Sequence, residues 1–268
     1  MRVTAAIALS AFRESVRDKV FYNLVLFSLL MIASSFLIGQ LTAGQDVKII
    51  KDLGLAATSM FGLFLAVFIG IGLVSKEVER RSVYSLLAKP ITRAQLVLGK
   101  YCGLTLTLAV NMAVMAVALY AVLGYLAWGV PAAARAAWDA PALDPALLKA
   151  MLLIFVELML VTALALFFST FSSPMLSAAL TFGLYVAGHL SGDLRNFQQV
   201  VDSPAAARLA RGLYWVLPNL AQFDVKSDVV HGVHVPIGYL AMAGAYAAVY
   251  IAMLLTISIL VFSRRDFK

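Results

Sequence analysis

The residues able to do chemistry are few, and their spacing does not assemble a catalytic centre. Glu157 is the one acid between Ala150 and Gly192. A carboxyl in so apolar a run is costly, and intramembrane acids face an interior or a cavity. Three readings stand for it: a place on a substrate path, a hydrogen bond to Asn111 in the preceding apolar run, or a protonated acid packed in the bundle. His231 and His234 are three apart and His189 lies upstream, but no cysteine or acidic partner stands at recognised ligand spacing, so no metal is expected. Gly188-His189-Leu190-Ser191-Gly192 is not the order of a nucleophile elbow. Gly99-Lys100 is followed by Tyr101, with Ala94 where a P-loop requires its first glycine. The chain is therefore not expected to be an enzyme or to hydrolyse ATP by that route.

The most informative stretch is mechanical. Ser75 to Tyr101 reads SKEVERRSVYSLLAKPITRAQLVLGKY, with Lys76, Arg80, Arg81, Lys89, Arg93 and Lys100 set between two apolar runs. Glu77, Glu79, Arg80 and Arg81 open a helix. Pro90 disfavours helical geometry at Lys89 and ends it. Thr92 and Gln95 have capping-box spacing and start a second helix. Tyr84, Leu86 and Leu87 are apolar knobs that a solvated loop would not need. Helix, kink and helix with knobs is the shape of a docking element.

The elements that carry this segment are lipid-embedded. The 268 residues are 62% hydrophobic and 13% charged, too apolar for a water-soluble domain. Runs of about 20 apolar residues cross a bilayer. Six such spans are predicted, near Phe21–Leu41, Leu53–Ser75, Leu96–Trp128, Leu147–Thr170, Pro174–Leu190 and Ile237–Phe262. The split between the fourth and fifth falls at Ser172-Ser173-Pro174, because serine followed by proline is a helix-start pair. Helices are required because backbone groups in lipid must be satisfied internally. Gly62, Gly70 and Gly72 suit close packing of the second span, and Gly188 with Gly192 matches a small-residue motif at a span end.

The net charge of +7 gathers at the ends of apolar runs, which fits positive-inside anchoring and not a nucleic-acid partner. The richest ends are the N-terminus, the Ser75–Tyr101 segment and the C-terminal Arg264, Arg265 and Lys268. Both termini are expected in the cytoplasm, in a cell's inner membrane. Lys48, Lys51, Arg135, Lys149 and the loop basics Arg195, Arg208, Arg211 and Lys226 fall on the other side. Residues 1–19 form an interfacial helix, with Ala5, Leu9, Phe12 and Val16 on one stripe and Ser10, Arg13, Glu14, Arg17 and Asp18 opposite. Charges arrive before any clear cleavage site, so the segment is expected to be retained. The loop 191–236 lies outside. Ser203-Pro204 starts a short helix there that ends by Pro218, and Tyr214 and Trp215 suit the headgroup level. A single cysteine, Cys102, excludes an intrachain disulfide.

The order of acidic pair, short apolar helix, Lys89-Pro90-Ile91-Thr92-Arg93 and Leu98-Gly99-Lys100 resembles the ABC-2-type permease family. Arg80-Arg81-Ser82 departs from a glycine common after the acidic pair in that family. Leu217-Pro218-Asn219-Leu220 with Phe223-Asp224 resembles the branch of multicopper-enzyme maturation permeases. The resemblance implies one all-α transmembrane domain over 1–268, with six spans, and a coupling helix at 76–93 formed by Glu77, Glu79, Arg80, Arg81, Tyr84, Leu86, Leu87, Pro90 and Arg93. It implies a separate ATP-binding subunit that holds ATP and Mg, a second permease copy or homologue, and no cofactor on this chain. Export, non-transporting transmission of motion to an extracytoplasmic partner, and ATP-independent secondary transport stay open. The last expects internal repeats, which the two halves do not show.

Overall fold

The computed structural model describes residues 2–41, 46–79, 92–131, 135, 138, 140–190 and 217–264, with backbone alone for 2, 73–79 and 264. Among these the protein is helical, with no strand. The helices are α1 (Arg2–Val16), α2 (Lys19–Gln40), α3 (Asp46–Glu79), α4 (Arg93–Gly129), α5 (Ala146–Ser169), α6 (Pro174–His189), α7 (Lys226–Val230) and α8 (Ile237–Arg264). A 3₁₀ turn at Ala221–Phe223 precedes α7.

Helix α5 is apolar on every side, and such a helix belongs in an interior. It packs against α3, α4, α6, α7 and α8. Gly62 lets α3 approach it, since a Cβ there would lie 2.4 Å from Leu158 Cδ1. Gly70 meets Ala165 Cβ at an ordinary 3.4 Å, whereas Gly72 faces open space, so the packing role expected of all three glycines belongs mainly to Gly62. Helix α2 buries only a narrow stripe of Phe21, Ser28, Ile32, Ser35 and Gly39, at helical spacing. Its other face leaves Tyr22, Leu26, Phe27, Leu30 and Leu37 open, which in a bilayer means contact with lipid.

Five helices are long and apolar enough to cross a membrane: α2, α3 from Asp46 to Gly72, α4, α5 and α8. The fifth span expected in chain order, Pro174–Leu190, is helix α6 to within one residue, and it is shorter than these five. Helix α6 starts at Pro174 behind Ser173, as the sequence reads, but has only 16 residues. At 1.5 Å per residue that is about 24 Å, short of a hydrocarbon core of about 30 Å. Its C-terminal end is met by the segment 217–230, where Leu220 N–H donates to Gly188 O at 3.0 Å. Gly188 is glycine because of this approach: a Cβ would lie 2.7 Å from Leu220 Cγ and 2.9 Å from Pro218 O. Its neighbour in the expected motif, Gly192, and the helix expected after Ser203-Pro204 lie outside the described residues, as do Tyr214 and Trp215.

The bundle has two distinct ends. At one, the start of α4 meets the finish of α8 and α1 packs on α4. At the other, Tyr120 Oη donates to Asp144 O at 2.7 Å and Lys149 Nζ donates to Val235 O at 2.7 Å, tying the α4–α5 connection and the entry to α8. Lys51 belongs to this second end but is not solvated there. It is fully buried, its Nζ has no hydrogen-bond partner among the described residues, and its electrostatic partner is Asp144.

The capping box forms as its spacing predicts. Gln95 N–H donates to Thr92 Oγ1 at 3.3 Å, and Thr92 N–H donates to Gln95 Oε1 at 3.1 Å. Losing a threonine cap costs about 1 kcal/mol. Thr92→Ala is therefore expected to raise amide hydrogen exchange in the first turn of α4 about fivefold, with exchange at mid-α4 unchanged.

Candidate functional site: the base of the charged segment and a buried polar cluster

The charged segment is described at its two roots. Helix α3 carries the backbone of Glu77 and Glu79 to its last turn. Arg80, Arg81, Tyr84, Leu86, Leu87 and Pro90 lie outside the described residues. At the exit, Arg93 opens α4 and holds the end of α8. Its Nη1 donates to Phe262 O, and its guanidinium lies 5.7 Å from the centre of the Phe262 ring. Arg joins planar hydrogen bonding to ring contact in a way lysine does not.

One turn further, α1 is clamped onto α4. A Cβ at Gly99 would lie 2.7 Å from Ile7 Cβ, and one at Gly103 would lie 2.5 Å from Ala8 O and 2.7 Å from Ala11 Cβ. Gly99-x-x-x-Gly103 is thus a small-residue helix contact. Ala11 and Ser15 are buried in it, and Ser15 Oγ donates to Ala11 O at 2.8 Å. The stripe expected to anchor α1 is less buried: Ala5 and Leu9 are exposed and Phe12 and Val16 half-buried. The small-residue face takes the protein contact and leaves that stripe for the surroundings. Lys100, between the two glycines, is buried at 4% exposure. The exit of the charged segment is therefore braced twice, by α1 and by α8.

The second site is midway along α5. Glu157 is 1% exposed. His189 Nε2 lies 3.3 Å from its Oε1, close enough for charge attraction but not aligned as a hydrogen bond, so Oε1 has no donor among the described residues. Tyr185 on α6 acts electrostatically on the Glu157 carboxyl, and Ser59 on α3 acts on Tyr185 in turn. Tyr185 and His189 are four apart on α6, which puts both rings on one face with centres 4.5 Å apart. Asp224 and Lys226, 3.5 Å apart in the segment 217–230, act electrostatically on the same carboxylate. The pairing with Asn111 is corrected here. Asn111 is fully buried and neither its Oδ1 nor its Nδ2 has a partner among the described residues.

One carboxyl, one imidazole and one phenol can exchange protons or hold a polar group, but they do not make a nucleophile. His231 Nδ1 contacts Ser227 O at 2.8 Å, and no group of three metal-ligating side chains occurs among the described residues. What the cluster joins is structural: α3, α5, α6 and the segment 217–230. His189→Ala removes the imidazole beside the buried Glu157 carboxyl and its ring contact with Tyr185, at the usual cost of a single change in a packed site, about 1 kcal/mol. The expected result is a lower unfolding temperature in detergent. Glu157→Leu combined with His189→Leu should lose less than the two single changes added together, because both partners go at once.

A family model described as ABC-2 family transporter protein matches residues 5–267. The chain belongs to the ABC-2 transporter family. No curated protein matches it. The match runs from α1 through α8, so membership covers the bundle and both sites. This ABC-2 chain is a multi-pass membrane protein and a transmembrane subunit of an ABC transporter. It is not itself the catalytic part, and its family context supplies an ABC ATP-binding partner.

Proposed function

We propose that this chain is the membrane half of an ATP-driven exporter, working as a pair with a second copy or a homologue. ATP and Mg belong to the partner ATPase. Residues 76–93 face the cytoplasm, as do both termini, and form the coupling helix. Glu77, Glu79, Arg80, Arg81, Tyr84, Leu86, Leu87, Pro90 and Arg93 receive the ATPase's motion there. The observation that carries this reading is the double bracing of the segment's exit. Arg93 is locked to Phe262 and the next turn is clamped by α1, so a push on the segment moves α1, α4 and α8 together. An unbraced loop would absorb the push by bending.

Six crossings follow if α6 and the outer segment that caps it at Gly188 together complete the fifth. The burial of that outer segment also favours a second reading. Phe223 and Val229 are fully buried, and the segment is tied to α5 and α6, so motion of the bundle reaches the exterior surface without any solute crossing. In that reading the chain is a transmission subunit acting on an extracytoplasmic partner. Purification from native membranes in mild detergent tests the shared part. An ATPase bearing a Walker motif is expected to copurify. Recovery of the chain alone, with solute movement persisting after ATP depletion, would instead make it a secondary transporter. Reconstitution into vesicles with the ATPase then separates export from transmission, by whether any solute crosses during turnover.

A further inference from the structure

We propose that the cleft between α2 and α4, at the end of the bundle away from Arg93, binds an alkylammonium group. The cleft holds about 410 Å³, within the range of small-molecule sites. Phe36 and Gln40 line it from α2, Asp46 from the first residue of α3, and Tyr125 and Trp128 from the last turns of α4. The Phe36 and Tyr125 rings meet edge to face, 5.4 Å between centres. Tyr125 is 65% exposed and Trp128 86%, so both offer ring surface to a ligand.

Aromatic rings near the end of a span are ordinary, because tyrosine and tryptophan favour the headgroup level. A carboxylate without a partner among them is not. Asp46 has no hydrogen bond or ion pair among the described residues. Lys48, two residues on, falls about 200° round α3 and so cannot share its face. Arg135 is held by its Nε donating to Val130 O at 2.9 Å, and it does not line the cleft.

A cation suits this arrangement twice over. Ring faces attract cations through their quadrupole, and the carboxylate supplies the opposite charge. An anion would meet Asp46 with no basic side chain among the described residues that line the cleft. The Gln40 amide oxygen adds an acceptor for a primary ammonium. Two sources present this chemistry at the membrane surface: the headgroup of phosphatidylethanolamine, or a soluble amine.

The whole chain carrying Trp138→Phe and Trp215→Phe leaves Trp128 as its one indole. Its emission is followed in detergent while tetramethylammonium chloride replaces sodium chloride at constant ionic strength. A saturable change is expected. Asp46→Asn and Tyr125→Leu should each weaken the apparent Kd at least tenfold, and Asp46→Glu should recover most of it. Each variant is used only as a monodisperse species in gel filtration, so a folding defect is not read as lost binding. Repeating the titration in nanodiscs of phosphatidylethanolamine and of phosphatidylglycerol separates the sources. An apparent Kd raised tenfold by phosphatidylethanolamine makes the lipid headgroup the resident. Equal values in both make it a soluble amine. A linear response without saturation, or an unchanged Kd in Asp46→Asn, overturns the proposal.

Discussion

Leu86→Asp is expected to separate the chain from its ATPase. If residues 76–93 dock into a groove of that subunit, Leu86 is one of three apolar knobs that must leave water. Truncating or charging such an anchor costs several kcal/mol, and about 3 kcal/mol is a weakening of roughly 100-fold. Copurification from native membranes should fall to background, while the variant itself still folds and elutes as the parent does. Glu79→Lys should weaken the complex less and with a dependence on salt, because a charge at the rim of an interface acts mostly through steering. If both variants retain the ATPase at parental yield, residues 76–93 are not where it docks.

Gly103→Leu is expected to expel α1 from the bundle. No rotamer can rescue it, because the first atom added already lies 2.5 Å from a backbone oxygen of Ala8 and 2.7 Å from Ala11 Cβ. Overpacking of this kind costs about 1–3 kcal/mol when side chains can shift, and here a backbone must. Arg13 and Arg17 are exposed already but sit at the end of a docked helix; once α1 is freed it frays, so tryptic cleavage after them should accelerate at least tenfold. Gly72→Leu is the control: nothing lies within 4 Å of its added Cβ, and cleavage should be unchanged. In the complete transporter, the proposed bracing adds a second outcome. Gly103→Leu should keep the ATPase bound but lower the work delivered per ATP, since the segment's exit has lost one of its two supports. Equal coupling in parent and variant would show that α1 carries no load.

The sequence made the rods legible and the contacts between them much less so. Apolar runs announce α2, α4, α5 and α8 within a few residues, because lipid imposes both length and hydrophobicity. The α4 start was readable to the residue, since Thr92 and Gln95 satisfy each other's backbone locally. The extent of α6 was readable to within one residue, but the contact at its end was not. That contact comes from Leu220, which is distant in sequence and reaches Gly188 only in the fold. Gly99-x-x-x-Gly103 was in plain view, but its partner α1 is polar along one arc, and that arc suggested a helix resting on lipid. Lys51 at the end of a span reads as a water-facing charge, but the fold buries it completely. Glu157 was conspicuous, whereas its neighbour His189 was not, because helical spacing links His189 to Tyr185 and nothing local links it to α5.

Sidedness of residues 76–93 decides the mechanism. Cys102, the single cysteine, is replaced by serine, and a new cysteine is placed by Ser82→Cys or, as the opposite-end control, Ser227→Cys. A membrane-impermeant maleimide is then applied to intact cells and to inverted vesicles. Labelling at position 82 is expected in inverted vesicles alone, and labelling at position 227 in intact cells alone. Position 82 labelled from outside would place the segment where no ATPase can reach it, and the chain could not be driven in this way.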